Sequence, residues 1–274
     1  MATNTLMGGL SHLENRSGTE HQNLTAFQPL GRVGVTVSVV IPAMNEARNL
    51  PKVLPHIPDW VDEVVLVDGN STDDTVAVAQ ALRPDIIVLK QERRGKGAAL
   101  RSGFAVARGN IIVTLDADGS ADPTEISAFV GGLLAGADFV KGSRFVQGGE
   151  TLDMEWHRKL GNWGLLTLVR IAFGGRFTDL CYGYNAFWRD VLNYLDLSDC
   201  DGFEIETAMS VQALRARLRI IEIASKEFRR IHGVSNLRAI PDGFRVLSTI
   251  VKLGLSRPRR TKTEKLTQFE QNLG

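Results

Sequence analysis

Two aspartates, Asp116 and Asp118, directly follow an apolar segment, residues 111–115, that has the composition of a buried strand. Carboxylates are costly to desolvate unless a partner compensates them. Because the two residues are spaced two apart at a strand end, both side chains can point to the same side. Such a pair suits Mg²⁺ or Mn²⁺, which prefer oxygen ligands. The alternative is a turn that leads into the next helix, and the other polar segments predicted nearby favour the metal.

A second set of polar residues lies later in the chain. Glu204 and Glu206 open a predicted helix, where acidic residues either compensate the helix dipole or act as a general base for a hydroxyl acceptor. Arg230 and Ser235 belong to a glycine-containing segment, residues 227–237, whose arginines suit phosphate recognition. Both interpretations of the two glutamates stay open.

Asp68 and Lys96 complete the candidate chemistry. Asp68 ends a predicted strand and is better placed to meet a ribose or a base than Asp73 or Asp74, which suit helix capping. Lys96 stands between two glycines at a predicted helix start, where backbone N–H groups and a cation can bind phosphate; an ordinary loop turn is the equal alternative for these three residues. Neither a G-x-G-x-x-G loop after the first strand nor a Walker A sequence is present, which disfavours dinucleotide and P-loop sites.

These residues need a framework that brings them together. Runs rich in Val and Ile alternate with helical segments, which predicts an α/β fold with a mostly parallel sheet flanked by helices. The predicted strands are residues 35–43, 61–69, 85–90, 110–118 and 137–145. The predicted helices are residues 45–54, capped by Asn45 and shortened or kinked by Pro51; residues 71–82, capped by Ser71 or Thr72; residues 95–109; and one that starts at Asp122. Right-handed crossovers would place the polar segments at one edge of the sheet.

Composition narrows the class of function. The 274 residues carry a net charge of +1, which gives no case for nucleic-acid binding. Cys181 and Cys200 make no disulfide framework, so we expect a reducing, cytoplasmic setting. No apolar run is long enough for a membrane-spanning helix. The apolar stretch 161–175 and Trp188 either contact lipid or pack in the core.

Several segments, taken in order, resemble the inverting glycosyltransferases of family 2, and within it the synthases that act on polyprenyl phosphates. The segments that carry the resemblance are VVIPAMNEARNL, VVLVDGNSTDDT, GKGAALRSGFAVARG, LDADGSADPTEI, KGSRF and FRRIHGVSNL. Each is weakly specific alone, but their order and spacing over residues 37–240 are specific. Ser120 stands where the family often has a glutamine that binds the metal.

The resemblance implies a GT-A fold and metal-dependent transfer of a sugar, with inversion, from a nucleoside-diphosphate sugar to a polyprenyl phosphate or another phosphate. It implies a base and ribose site at Pro42, Asn45, Glu46, Asp68 and Asp73, with Lys96 nearby. It implies that Asp116 and Asp118 hold Mg²⁺ or Mn²⁺, and that Arg144, Arg230 and Ser235 meet donor or acceptor phosphate. Asp118, Arg144, Glu204 and Glu206 are the candidate catalytic residues.

The predicted organisation is a polar leader at residues 1–32, one domain at 33–255 and a basic tail at 256–274. Within the domain, residues 33–145 form the nucleotide-sugar-binding half and residues 146–255 the acceptor-side half. The tail is either a solvated end or a contact with the inner face of a membrane.

Three alternatives to this function stay open. A hydroxyl acceptor would need Glu204 or Glu206 as a base, since a hydroxyl is not ionised at neutral pH. Nucleotidyl transfer onto a sugar phosphate is disfavoured because no G-x-G-x-R loop follows the first strand. A binding module without catalysis is disfavoured by the presence of both Asp116 and Asp118. The sugar, the nucleotide base and the formation of a homo-oligomer are left open.

Overall fold

A computed structural model describes residues 34–256 of the chain. The predicted leader and, apart from Ser256, the predicted tail lie outside the described residues.

The centre of the described domain is a seven-stranded sheet with the strand order β3-β2-β1-β4-β7-β5-β8. Strand β7 runs antiparallel to both its neighbours, and all other pairings in this sheet are parallel. Two short strands, β6 and β9, pair separately. The strands are β1 Val37–Ala43, β2 Glu63–Asp68, β3 Ile87–Lys90, β4 Ile111–Thr114, β5 Phe139–Ser143, β6 Glu150–Thr151, β7 Asn185–Trp188, β8 Ile220–Ala224 and β9 Lys226–Glu227.

Six α-helices surround the sheet within residues 34–256. They are α1 Thr75–Leu82, α2 Lys96–Val106, α3 Ile126–Leu134, α4 Trp156–Phe173, α5 Glu204–Arg215 and α6 Ala239–Leu255. Short 3₁₀ segments cover Leu50–Lys52, Leu54–His56, Pro123–Glu125 and Arg189–Tyr194.

Both faces of the sheet are buried, as its Val- and Ile-rich strands predict. Along β1, Val39 and Ile41 belong to one apolar cluster and Val40 to the cluster on the opposite face. Phe129 of α3 packs in the first cluster and Phe104 of α2 in the second. Burial of such a side chain contributes about 1.5–3 kcal/mol, so packing on both faces fixes the strands and the edge at which they end.

The second half of the chain completes the same sheet. Strand β7 lies between β4 and β5, and β8 extends the far edge. Trp188 packs against both apolar clusters and donates its indole N–H to the carbonyl of Ala137 at 3.1 Å, so this side chain belongs to the core. The lipid alternative for Trp188 is therefore wrong.

Two local predictions are also wrong. Residues 45–54 do not form an α-helix, because Pro51 and Pro55 each start a short 3₁₀ turn instead. Asn45 adopts a left-handed φ of 60° and caps no helix. Helix α1 begins only at Thr75, and the Ser71 hydroxyl accepts a hydrogen bond from the Asn45 amide at 2.9 Å.

Other local predictions are confirmed. Asp122 accepts a hydrogen bond from the Thr124 amide at 2.9 Å, with Pro123 at the first position of the turn that leads into α3. Glu204 and Glu206 lie in the first turn of α5. Within the described residues, no helix is both long and apolar enough to cross a membrane.

The packing of α2 on the sheet gives a stability prediction. A Cβ atom at Gly103 would lie 2.3 Å from Cγ1 of Val40, whereas one at Gly131 in α3 would meet nothing within 4 Å. We expect Gly103→Ala to lower the free energy of unfolding by about 1–3 kcal/mol, because overpacking outweighs the gain in helix propensity. The control Gly131→Ala should raise it by up to about 1 kcal/mol. Urea unfolding measures both, and equal stability of the two variants would contradict the close approach of α2.

Candidate active site

A cavity of about 1360 Å³ opens at the carboxyl ends of the parallel strands. This volume exceeds the roughly 300–1,000 Å³ that is usual for one small ligand, so the cavity has room for two substrates. Residues after β1, β2, β4 and β5 line it, together with the start of α5 and one side of α6. The predicted site residues that line the cavity are Pro42, Glu46, Lys96, Asp116, Asp118, Arg144, Glu204, Glu206, Arg230 and Ser235.

At the centre, one cation joins two carboxylates. The Nζ atom of Lys96 lies 2.7 Å from Oδ1 of Asp116 and 2.6 Å from Oε1 of Glu206. Burial alone would lower the pKa of Lys96, but the charges of Asp116 and Glu206 outweigh it and raise this pKa well above the ordinary value. Burial raises the pKa of Glu206, and Lys96 opposes that rise. Lys96 is therefore a firmly charged group that holds strand β4 and helix α5 together.

Glycines explain how Lys96 reaches this position. Gly95 has a φ of +113°, and a Cβ atom there would lie 2.1 Å from the carbonyl oxygen of Asp201. A Cβ atom at Gly183 would lie 2.6 Å from the Lys96 Nζ atom and 2.8 Å from Oε1 of Glu206. Because Gly95 has no side chain, the start of α2 can pack against the backbone of Asp201. Because Gly183 has none, the segment before β7 can lie against Lys96 and Glu206. Nothing in the sequence distinguishes Gly183 as a site residue.

The second aspartate, Asp118, is paired with an arginine side chain. Arg230 lies 3.1 Å from Oδ2 of Asp118 and 2.9 Å from Oε1 of Glu46. Burial raises the pKa of Glu46, while Asn49 and Arg230 oppose that rise. The backbone of His232 exchanges two hydrogen bonds of 3.1 Å with the side chain of Asn49. The basic segment after β9 is thus fastened to the loop after β1 at the cavity.

Asp116 and Asp118 fit a divalent cation that shares its ligands with a substrate. Their side chains are 29% and 18% exposed, so both oxygen sets are accessible from the cavity. Within residues 34–256, no group of three or more His, Cys, Asp or Glu side chains is arranged to hold a metal ion. Mg²⁺ commonly uses one or two carboxylates and takes its remaining ligands from phosphate and water. In this protein a cation would compete with Lys96 and Arg230 for the carboxylates.

The two glutamates of α5 differ in their surroundings. Glu206 is committed to Lys96. Glu204 accepts a hydrogen bond from the Gly202 amide at 2.8 Å through Oε1, but its buried Oε2 atom has no hydrogen-bond partner among residues 34–256. A buried acceptor without a partner is costly. Because Glu204 lines the cavity, a ligand hydroxyl can supply the missing hydrogen bond.

Arg144 is enclosed by carboxylates. Its guanidinium donates to Asp179 at 2.7 Å and 3.0 Å and to Glu227 at 2.8 Å, and its side chain is 2% exposed. The ring of Tyr182 lies 4.8 Å from the guanidinium carbon. These contacts favour a positioning role that joins β5 to β9, and the phosphate contact predicted for Arg144 stays a prediction. The sequence analysis missed Asp179, which lies between elements far apart in the chain.

Three predicted nucleotide-binding residues are used within the loops. The Asn45 side chain accepts a hydrogen bond from the Thr72 amide at 2.8 Å. Asp68 accepts from the Ser71 amide at 3.2 Å, and Asp73 accepts from the Ala47 amide at 3.2 Å. The bonds of Asn45 and Asp73 join the loop after β1 to the loop after β2, whereas the bond of Asp68 lies within the loop after β2. Their direct contact with a nucleotide is untested.

Helix α6 supplies a wall of the cavity that the sequence analysis also missed. The residues of this wall are Asp242, Arg245, Ser248, Thr249 and Lys252. These polar residues recur with the spacing of one face of an α-helix, so the hydrophobic periodicity of residues 239–255 would have indicated this face.

Comparison with known proteins identifies the class. Residues 38–195 match the model of Glycosyl transferase family 2. The chain is 33% identical over 211 residues to polyprenol monophosphomannose synthase of Mycolicibacterium smegmatis, covering 73% of this chain and 80% of that protein. It is 32% identical over 212 residues to undecaprenyl-phosphate mannosyltransferase of Micrococcus luteus, covering 73% and 87%. The chain belongs to glycosyl transferase family 2.

A solved structure adds the fold. Glucosyl-3-phosphoglycerate synthase of Mycobacterium tuberculosis, in complex with Mn²⁺, UDP and phosphoglyceric acid, is similar with a TM-score of 0.66 and 25% sequence identity. The likeness covers 82% of this chain and 80% of that one. The predicted family, the GT-A type of α/β fold and the glycosyltransferase class are therefore confirmed. The roles of individual residues stay predictions.

The pairing of Arg230 with Asp118 makes a prediction for cation binding. We expect Arg230→Gln to bind Mn²⁺ about three- to tenfold more tightly than the unaltered protein without nucleotide, because an ion pair worth about 1 kcal/mol no longer competes. The matched control is Arg229→Gln, since Arg229 is exposed and donates to the Leu152 carbonyl at 3.1 Å rather than to a carboxylate of the cavity. Isothermal titration calorimetry with MnCl₂ measures the affinities. An unchanged or weaker affinity of Arg230→Gln would show that Arg230 does not compete for Asp118.

Proposed function

We propose that this glycosyltransferase moves a sugar, with inversion at the anomeric carbon, from a nucleoside-diphosphate sugar to a phosphate group, with a polyprenyl phosphate as the preferred acceptor. The observation that carries the proposal is the arrangement of Asp116 and Asp118 with Lys96 and Arg230 at one cavity. It combines oxygen ligands for a divalent cation with two positive charges for phosphate. The Mn²⁺ and UDP bound by glucosyl-3-phosphoglycerate synthase support the donor class, and the names of the polyprenol and undecaprenyl-phosphate enzymes support the acceptor.

The donor lies, in this proposal, against the loops after β1 and β2. Pro42 and Glu46 line the cavity there and would contact the base and ribose. Asn45 and Asp73 would keep the two loops in shape through the hydrogen bonds that join them, and Asp68 through its bond within the loop after β2. Pre-formed loops bind a nucleotide without paying the full entropy of ordering.

Charge stabilisation is the main catalytic contribution of the chain. Asp116 and Asp118 would hold Mg²⁺ or Mn²⁺, which neutralises the leaving diphosphate. Lys96 remains anchored to Glu206, and Arg230 to Glu46, so both cations stay near the diphosphate. Fixed charges of this kind stabilise the transition state without reorganisation.

The acceptor determines whether a base is needed. In the transfer, an acceptor oxygen forms a bond to the anomeric carbon while the bond from that carbon to the diphosphate oxygen breaks, and the nucleoside diphosphate leaves with the electron pair. A phosphate monoester, whose second pKa is about 6, is mostly ionised at neutral pH and attacks without a base. Arg238, Arg245 and Lys252 line the cavity on the side of α6, where they would attract an anionic acceptor.

A hydroxyl acceptor is the second candidate, and one observation favours it. In the described part of the chain, the buried Oε2 atom of Glu204 has no hydrogen-bond partner, as expected before substrate binds for a carboxylate that receives a proton from a hydroxyl. Glu206 is less suited to this role because Lys96 already holds it. The two acceptors can be separated by experiment.

The central test removes the charge of the aspartates. We expect Asp116→Asn and Asp118→Asn each to lower turnover by about 10²-fold or more, because the leaving diphosphate loses its charge compensation. Turnover is followed as release of nucleoside diphosphate from candidate nucleotide sugars with Mn²⁺ and undecaprenyl phosphate. Circular dichroism checks that the fold is retained. The matched control is Asp138→Asn, because Asp138 directly precedes β5 and does not line the cavity. Near-normal rates in both variants would contradict the proposed site.

The same assay separates the competing functions. Pyrophosphate in place of nucleoside diphosphate would indicate nucleotidyl transfer, and nucleotide-sugar binding without turnover would indicate a binding module. We expect Glu204→Gln to keep activity within about threefold toward a phosphate acceptor, since no proton has to be removed. A loss of about 10²-fold or more with the preferred acceptor would instead identify a hydroxyl acceptor with Glu204 as its base.

A further inference from the structure

Helix α6 presents three different faces along its length. One face packs in an apolar cluster with α4 and α5, through Val246 and Ile250. A second, with Arg245 and Lys252, lines the cavity. The third is exposed and apolar, and its residues are Ile240, Phe244, Leu247, Val251 and Leu255. These positions follow the spacing of one helical stripe, so α6 separates the cavity from an uncovered apolar surface.

Helix α4 carries a similar stripe. Trp156, Leu160, Trp163 and Ile171 are all more than half exposed. The helix packs against α6 in the shared cluster, where Val169 of α4 meets the buried face of α6. Isolated exposed apolar residues are ordinary, but two adjacent helices with continuous stripes are a mark of an interaction surface. We call the exposed apolar residues of α4 and α6 the apolar face.

The charges beside the apolar face indicate what covers it. Helix α4 contains Arg158, Lys159 and Arg170 and no acidic residue. An amphipathic helix with tryptophan on its apolar side and basic residues beside it is typical of one that lies in the surface of an anionic bilayer. A second copy of the chain is a poorer occupant, because it would bring the basic residues of two α4 helices together.

We propose that the apolar face docks on a bilayer that contains anionic lipids. The cavity wall formed by Arg245 and Lys252 is then held next to the lipid surface, because it belongs to the same helix. A phosphate at the headgroup level can enter the cavity while its hydrocarbon chain stays in the bilayer. The docking surface stands on the geometry of α4 and α6, and its purpose in acceptor delivery rests on the proposed function.

The test measures vesicle binding of the full chain. The double variant Trp163→Ser/Phe244→Ser removes two side chains that are 65% and 68% exposed, and neither lines the cavity. The control, Leu82→Ser/Leu134→Ser, removes two exposed leucines from α1 and α3. We expect the unaltered protein and the control to co-sediment with vesicles of equal parts phosphatidylglycerol and phosphatidylcholine, and more weakly with phosphatidylcholine alone. The double variant should bind the anionic vesicles at least about tenfold more weakly.

Activity distinguishes failure of docking from failure of the proposed function. The double variant should lose turnover with undecaprenyl phosphate in vesicles and keep it with a short, water-soluble isoprenyl phosphate. If the double variant bound vesicles as tightly as the unaltered protein, the docking surface would be overturned. It would also be overturned if the unaltered protein bound no vesicles but formed a dimer that the double substitution dissociates. Binding through the apolar face without sugar transfer to either phosphate would support docking and overturn the proposed function. Midpoint temperatures of thermal unfolding equal to that of the unaltered protein would show that the variants remain folded.

Discussion

Acidic side chains gathered at the end of a buried sheet are the constraint on which this structure depends. Asp116, Asp118, Glu206 and Glu46 all face one cavity, and like charges in partly buried positions repel each other. Lys96 and Arg230 each bridge two of these carboxylates. The two bridges also join distant parts of the chain, since Lys96 links α2 to β4 and α5, and Arg230 links the segment after β9 to the loop after β1. Charge compensation and tertiary assembly are therefore the same interaction.

The acceptor-side half of the chain is an integral part of the sheet. Strands β7 and β8 complete it, and α5 and α6 close one side of the cavity. The ion pairs of Arg144 with Asp179 and Glu227 join the end of β5 to this half of the chain. Because removal of one partner from such a buried group leaves an uncompensated charge, the ion pairs of Arg144 fix β9 and the segment before β7 relative to β5. Helix α6 lies between the cavity and the apolar face, so the proposed docking and the proposed sugar transfer would share one element.

Much of the fold was predictable because its signals are local. Continuous Val- and Ile-rich runs identify strands buried on both faces, and their alternation with helices predicts the parallel sheet. The position of Asp116 and Asp118 at the cavity was predictable because they follow a buried strand, which ends at Thr114. The helix at 45–54 was predicted wrongly because Pro51 and Pro55 prevail over its apolar pattern. The enclosure of Arg144 was not predictable, since Asp179 and Glu227 meet it only after the sheet has formed. Gly183 gives no sequence signal, because its effect is the absence of a side chain beside Lys96.

The central claim is that Asp116 and Asp118 exchange their protein cations for a divalent cation when the donor binds. A crystal structure of the complex with Mn²⁺ and a non-hydrolysable nucleoside-diphosphate sugar tests it most directly. We expect Mn²⁺ to bind directly to both carboxylates, with Arg230 released from Asp118 and within hydrogen-bond distance of a phosphate oxygen. A complex in which Arg230 still pairs with Asp118 and Mn²⁺ binds elsewhere would contradict it.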